Sequence, residues 1–154
     1  MTNDYRIQKE RVTVTLVTFD GEELVGDLFV QPSARNRYGR EEAPDVMNAP
    51  EPFFPLLTAS GETYLLAKDR VREVAVGQPL ELGEEWFAAP PAIIEVSLVG
   101  GQRRTGKVLL ESMSGRGRVI DFLNRFHDRF LTLHTPDGAT LVNRQAIVRV
   151  RPVD

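Results

Sequence analysis

Arg103, Arg104 and Lys107 cluster in the second half of the chain, followed by Arg116 and Arg118 in the stretch Ser114-Gly115-Arg116-Gly117-Arg118. A hairpin would bring these cations to one end of a small β module, where they could contact phosphates without sequence specificity and lose affinity steeply with salt. An acidic protein surface would satisfy the same charges. No aromatic side chain interleaves them to stack on bases. The glycine-arginine stretch is too short for a phosphate loop and lacks its lysine. Asn48 and Asn124 form a second constellation, each preceded by an aspartate, Asp45 or Asp121. They are candidates for binding, although Asp and Asn at the start of a strand commonly hydrogen-bond the backbone of their own turn. The only histidines, His127 and His134, have no partner at a spacing diagnostic of metal ligation. These residues assemble no recognisable catalytic constellation, so neither an enzyme, nor a cofactor, nor a metal site is expected.

The composition supports a folded core. An apolar share of 42% and a charged share of 27% lie far from the signature of disorder. No run of residues approaches the roughly 18 apolar positions of a membrane helix, and the segment Met1 to Arg6 lacks a signal peptide's apolar stretch. A cytoplasmic location is expected. With no cysteine, disulfides, thiolate metal sites and a cysteine nucleophile are excluded. The net charge of −3 conceals an asymmetry: residues 1–91 carry 9 Lys/Arg against 16 Asp/Glu, a balance of −7, and residues 92–154 carry 10 against 6, a balance of +4. Opposite fields favour docking of one half on the other, head-to-tail self-association, or an anionic partner for the second half.

The elements that must position these residues are read from an internal repeat. Val14, Leu16, Gly21, Gly26 and Leu28 recur 80 positions later as Ile94, Val96, Gly101, Gly106 and Val108. Asp45, Asn48, Phe54, Leu57, Val71 and Val74 recur 76 positions later as Asp121, Asn124, Phe130, Leu133, Ile147 and Val150. Alternation in Val12-Thr13-Val14-Thr15-Leu16 and Ile94-Glu95-Val96-Ser97-Leu98 is that of half-buried strands, and Asp20-Gly21 and Gly100-Gly101 supply hairpin turns. Second strands are expected over 23–30 and 103–111, and later pairs over 64–67 with 71–76 and 139–142 with 147–150. Each copy therefore reads as five strands, mostly antiparallel. Val119, Phe122, Leu123, Phe126 and Phe130 fall at helical spacing, but the matching segment of the first copy carries Pro50, Pro52 and Pro55, which a helix interior rejects. If the copies share a shape, both segments are a short extended piece, a turn at Asn48 or Asn124, and a strand.

The opening pattern, in the form Ile94, Val96, Leu98, Gly101, Gly106 and Val108, resembles the first motif of the Sm-like family. Val14, Leu16, Thr18, Gly21, Gly26 and Leu28 follow it, with Thr18 as a departure. The resemblance implies an all-β fold of two tandem five-stranded Sm-like small barrels, with a short N-terminal helix that residues 4–11 could supply. It also implies RNA-binding positions that match only in part. Pro32 and Ser112 stand where the family has an aspartate; Met47-Asn48 and Leu123-Asn124 could be its Met-Asn pair; Ala67-Lys68 and Asn143-Arg144 replace its Arg-Gly.

The expected organisation is a first module over 1–76, a linker over 77–91 and a second module over 92–154. Gln31 to Pro44 should be an exposed, mobile loop, and Trp86 with Phe87 in the linker should pack across the module interface. The expected function is a non-catalytic protein-interaction or scaffolding module, joined to a protein partner or to itself. The alternative is an RNA-associated protein using the basic patch.

Overall fold

The computed structural model describes residues 10–32, 41–81, 91–110 and 118–153. Its first five strands are β1 (Glu10–Thr18), β2 (Glu23–Val30), β3 (Phe53–Thr58), β4 (Thr63–Ala67) and β5 (Val71–Val76). The next five are β6 (Pro91–Leu98), β7 (Arg103–Leu109), β8 (Phe130–Thr135), β9 (Gly138–Asn143) and β10 (Ile147–Val153). Short helices α1 (Ala43–Asn48) and α2 (Val119–Arg125) precede β3 and β8, and 3-10 turns at Lys68–Arg70 and Arg144–Ala146 precede β5 and β10. All pairings are antiparallel and join the strands into one open ten-stranded sheet, in the order β10-β6-β7-β8-β9-β5-β1-β2-β3-β4. The protein is thus mainly β, with ten antiparallel strands in one open sheet and two short helices.

Each half repeats one connectivity: four strands in a meander, then a fifth that returns beside the first. The alternation read from sequence decides which side chains meet. Val14, Leu16, Leu28, Leu56 and Val74 build one core; Ile94, Val96, Val108, Leu133 and Val142 build the other. The expected turns are present, with Gly21, Gly100 and Gly101 at positive φ.

The two helices correct the all-strand expectation. Pro44 sits in the first turn of α1, where its missing N–H is not needed, and the Asp45 carboxylate accepts from the Glu42 N–H at 2.8 Å. Pro50, Pro52 and Pro55 lie beyond the cap at Ala49, so they stop the helix and do not interrupt it. α2 lays Phe122, Leu123 and Phe126 on the second core, as the helical spacing had indicated. The N-terminal helix is corrected where it is described: Glu10 and Arg11 belong to β1, and residues 4–9 lie outside the described residues. Trp86, Phe87 and loop residues 33–40 also lie outside them. The ends of that loop are tied, Glu41 N–H donating to Gln31 O at 2.9 Å and Gln31 N–H to the Glu41 carboxylate at 3.0 Å.

The repeat also shifts register in a way spacing had not resolved. Phe53 pairs with Ala67 and Phe130 with Asn143, so β3 matches β8 at 77 positions (130 against 53), while β4 matches β9 at 76 (143 against 67). The counterparts are therefore Phe53 with Phe130 and Phe54 with Leu131.

Gly26 and Gly106 recur because a third strand crosses there closely. A Cβ at Gly26 would lie 2.7 Å from Leu57 O, and one at Gly106 would lie 2.6 Å from Leu133 Cβ. Overpacking of this kind costs about 1–3 kcal/mol. Gly26→Ala and Gly106→Ala should each lower the urea midpoint by that equivalent at an unchanged m-value.

Candidate functional site at the repeat junction

The sheet becomes continuous where the last strand of the first repeat meets the fourth of the second. β5 and β9 pair with Glu73 opposite Val142, Val74 opposite Leu141, Ala75 opposite Thr140 and Val76 opposite Ala139. Leu141 and Phe130, both from the second repeat, are buried in the core of the first. In the other direction Phe19, at the end of the β1–β2 hairpin, packs on the second core.

Polar clasps surround this apolar seam. The Asn48 amide holds the backbone of Phe130 at both groups, accepting from its N–H at 2.8 Å and donating to its carbonyl at 3.3 Å. Asn143, fully buried, donates to Val71 O at 2.8 Å and accepts from Gln145 N–H at 2.9 Å. Arg129 reaches Asp69 at 3.2 Å. Glu73, with a side chain only 7% exposed, accepts from Arg72 at 2.9 Å and from Arg104 at 2.6 Å. One carboxylate held by two guanidinium groups inside a sheet is a strong, geometrically specific pairing.

Lys68 is buried against the same seam and donates to Ala49 O, at the C-terminal end of α1, at 3.0 Å. Burial lowers its pKa from the ordinary 10.5, the nearby Arg129 charge adds to that effect, and Glu51 and Glu41 oppose it. Where Asn48, Asp69, His127, Arg129, Asn143 and Arg144 converge, a polar cleft of about 360 Å³ opens across the junction.

The sequence-derived candidates are dispersed over this frame. Arg103 and Lys107 are exposed on one face of β7, whereas Arg104 points to the other and is held by Glu73. The expected single patch is thus divided by strand alternation. Arg118 is exposed at the start of α2, 3.8 Å from the Asp121 carboxylate, and Arg116 lies outside the described residues. Asn48 clasps the other repeat, which corrects the expectation that it serves its own turn. Asn124 is exposed and stands two positions before the α2 cap at Phe126, whereas Asn48 immediately precedes the α1 cap at Ala49, so the two are not structural counterparts. Glu73, Arg129 and Asn143 were missed. The signal available for them was departure from the repeat: Arg149 occupies the position equivalent to Glu73, Ala67 that of Asn143 and Pro52 that of Arg129.

Among the described residues no group of three or more His, Asp or Glu side chains is arranged to hold a metal, and no helix is long and apolar enough to cross a membrane. No family model, curated protein or solved structure matches the chain.

Removing one partner of a buried ion pair leaves an uncompensated charge and costs about 3–5 kcal/mol. Glu73→Gln should destabilise the protein by that order in a urea titration, and Arg104→Ala, from a more exposed position, by less. His134, half-buried in β8, has its pKa lowered from 6.5 by burial. Its folded state binds the proton less readily than the unfolded chain, so stability is lost as pH falls below 6.5 towards the folded value. His134→Gln should flatten that limb of stability against pH.

Proposed function

We propose that the chain is a non-catalytic protein-interaction or scaffolding module that binds through the outer edges of its sheet. The observation that carries this reading is the composition of those edges. Among the described residues no strand pairs with the outer side of β4 or β10. Leu65 is 72% exposed on β4, beside Tyr64 at 41% and Phe53 at 59%, and Val148 is 66% exposed on β10. An edge with unpaired backbone groups and large apolar side chains is a template for another strand, and proteins ordinarily blunt such edges. Strand addition supplies affinity through the backbone and specificity through alternate side chains.

The finer fold we read is a pair of tandem Sm-like small barrels. It is supported by the recurring first motif, by the shared connectivity of the halves and by their separate cores.

A second reading, association with RNA, is favoured by the polar cleft at Arg129, Asn143 and Arg144 and by the exposed Arg103 and Lys107. A photo-crosslinking residue introduced in cells separates the two. At Tyr64 or Arg151 it should trap protein, while at Thr105, exposed on the middle strand β7, it should trap none. Nucleic acid trapped at Lys107 or Arg144, with no protein at the edges, would replace the scaffold reading with the RNA one.

A further inference from the structure

The second repeat carries on its outer face a row of side chains that differs in kind from its counterpart in the first. Lys107 on β7 stands opposite Ile93 on β6 and opposite His134 on β8, and directly opposed residues share one face of a sheet. That face is turned away from the second core, which takes the alternate residues Ile94, Val108 and Leu133. The equivalent row of the first repeat is Thr13, Asp27 and Leu57. There the charge is compensated: Asp27 accepts from the Thr13 hydroxyl at 2.7 Å and lies 3.8 Å from the Arg11 guanidinium. In the second repeat the sign is reversed and both partners are gone, Ile93 standing for Thr13 and Pro91 for Arg11. Glu95, two positions along from Ile93 on the same face, is taken by Arg151 at 3.4 Å. Among the described residues Lys107 has no ion pair, and Ile93 beside it is 37% exposed.

The residues that follow β5 turn this row into a groove. A Cβ at Gly138 would overlap Val76 O and meet Gln78 N at 3.0 Å, so glycine at the start of β9 lets residues 76–78 lie directly against it. From there Pro79 and Leu80 form the facing wall. Leu80 packs on the first core, and the N–H of Glu81 donates to the Glu42 carboxylate at 2.9 Å, which fixes that wall in place. The space between, also lined by Pro136, is about 450 Å³ and mostly apolar. Small-molecule sites have this character, an apolar concavity of about 300–1,000 Å³ with few polar groups that set orientation. Lys107 supplies the charge, since burial lowers the pKa of His134 from 6.5 and leaves its imidazole neutral at neutral pH. We propose that this groove binds a medium-chain aliphatic carboxylate, its apolar body between Leu80 and Ile93 and its carboxylate against Lys107. The acid supplies what the repeat lost, a counter-charge for the cation and cover for Ile93. β7 and β8 are interior strands, so the site is separate from the sheet edges and goes beyond the edge-binding reading.

Titration calorimetry of the full chain with hexanoate, octanoate and 1-octanol tests this. Octanoate should bind at one site per chain, tighter than octanol, and tighter than hexanoate by up to about fourfold for each added methylene. Lys107→Gln should weaken octanoate by about three- to tenfold and leave octanol unchanged, and Lys107→Arg should keep the wild-type affinity for octanoate. Ile93→Asn should weaken both ligands alike. Lys107 is exposed, so its variants should keep the wild-type circular dichroism spectrum. If one of them does not, the amide chemical shifts of wild type on adding octanoate decide in its place, with the changes expected at Leu80, Lys107 and Thr135. The absence of saturable octanoate binding, an octanoate affinity unchanged in Lys107→Gln, or shift changes confined to other residues overturns the proposal. So does octanoate binding that appears only when Trp86 and Phe87 are both replaced by Ser, because residues 82–90 would then be the occupant of the groove.

Discussion

The pairing of β5 with β9 is the contact on which the rest of the structure depends. Without it the chain would hold two five-stranded halves, each with a core open at one side. With it, Leu141 and Phe130 complete the first core and Phe19 covers the second, so neither half is finished by its own residues alone. Small β units bury too little surface to be robust by themselves, and a shared seam lowers that deficit. The buried carboxylate of Glu73 and the amide of Asn143 sit at this seam, where a shifted register would part Glu73 from Arg104 and Asn143 from the Val71 carbonyl. Their contribution is to specify one alignment of the ladder, as buried polar groups can do when all are satisfied.

The two junction surfaces of each repeat are alike in their apolar content and unlike in their polar content. A duplicated sequence starts with identical junctions. Asn143 against Ala67, Glu73 against Arg149 and Arg104 against Leu24 are among the differences that distinguish the seam within the chain from the edges outside it. The internal seam combines a covalent tether, an antiparallel ladder and ion pairs.

The helices show how one conflict between local signals was resolved. Helical spacing in Val119 to Phe130 and the prolines of the first repeat point in different directions. Their positions relative to the cap decided the matter. Pro44 is tolerated in the first turn and Pro50 follows the last, so α1 is short but real. The helices also part the two asparagines: Asn48 is the last residue of α1, whereas α2 runs one residue past Asn124.

Sequence alone determined the strands, the hairpin turns and the duplication. These depend on period-two alternation and on backbone conformations that only certain residues adopt, and both are local properties. The charge asymmetry was legible too, since it needs only a count. Tertiary structure alone decided that the halves fuse into one sheet, that Arg104 turns inward to Glu73 while Arg103 turns outward, and that Leu65 and Phe53 lie bare where Leu141 and Phe130 are covered. A leucine in a strand has the same local preference whether or not another strand lies beside it. Burial is a property of what packs against the residue, and spacing along one chain does not contain it.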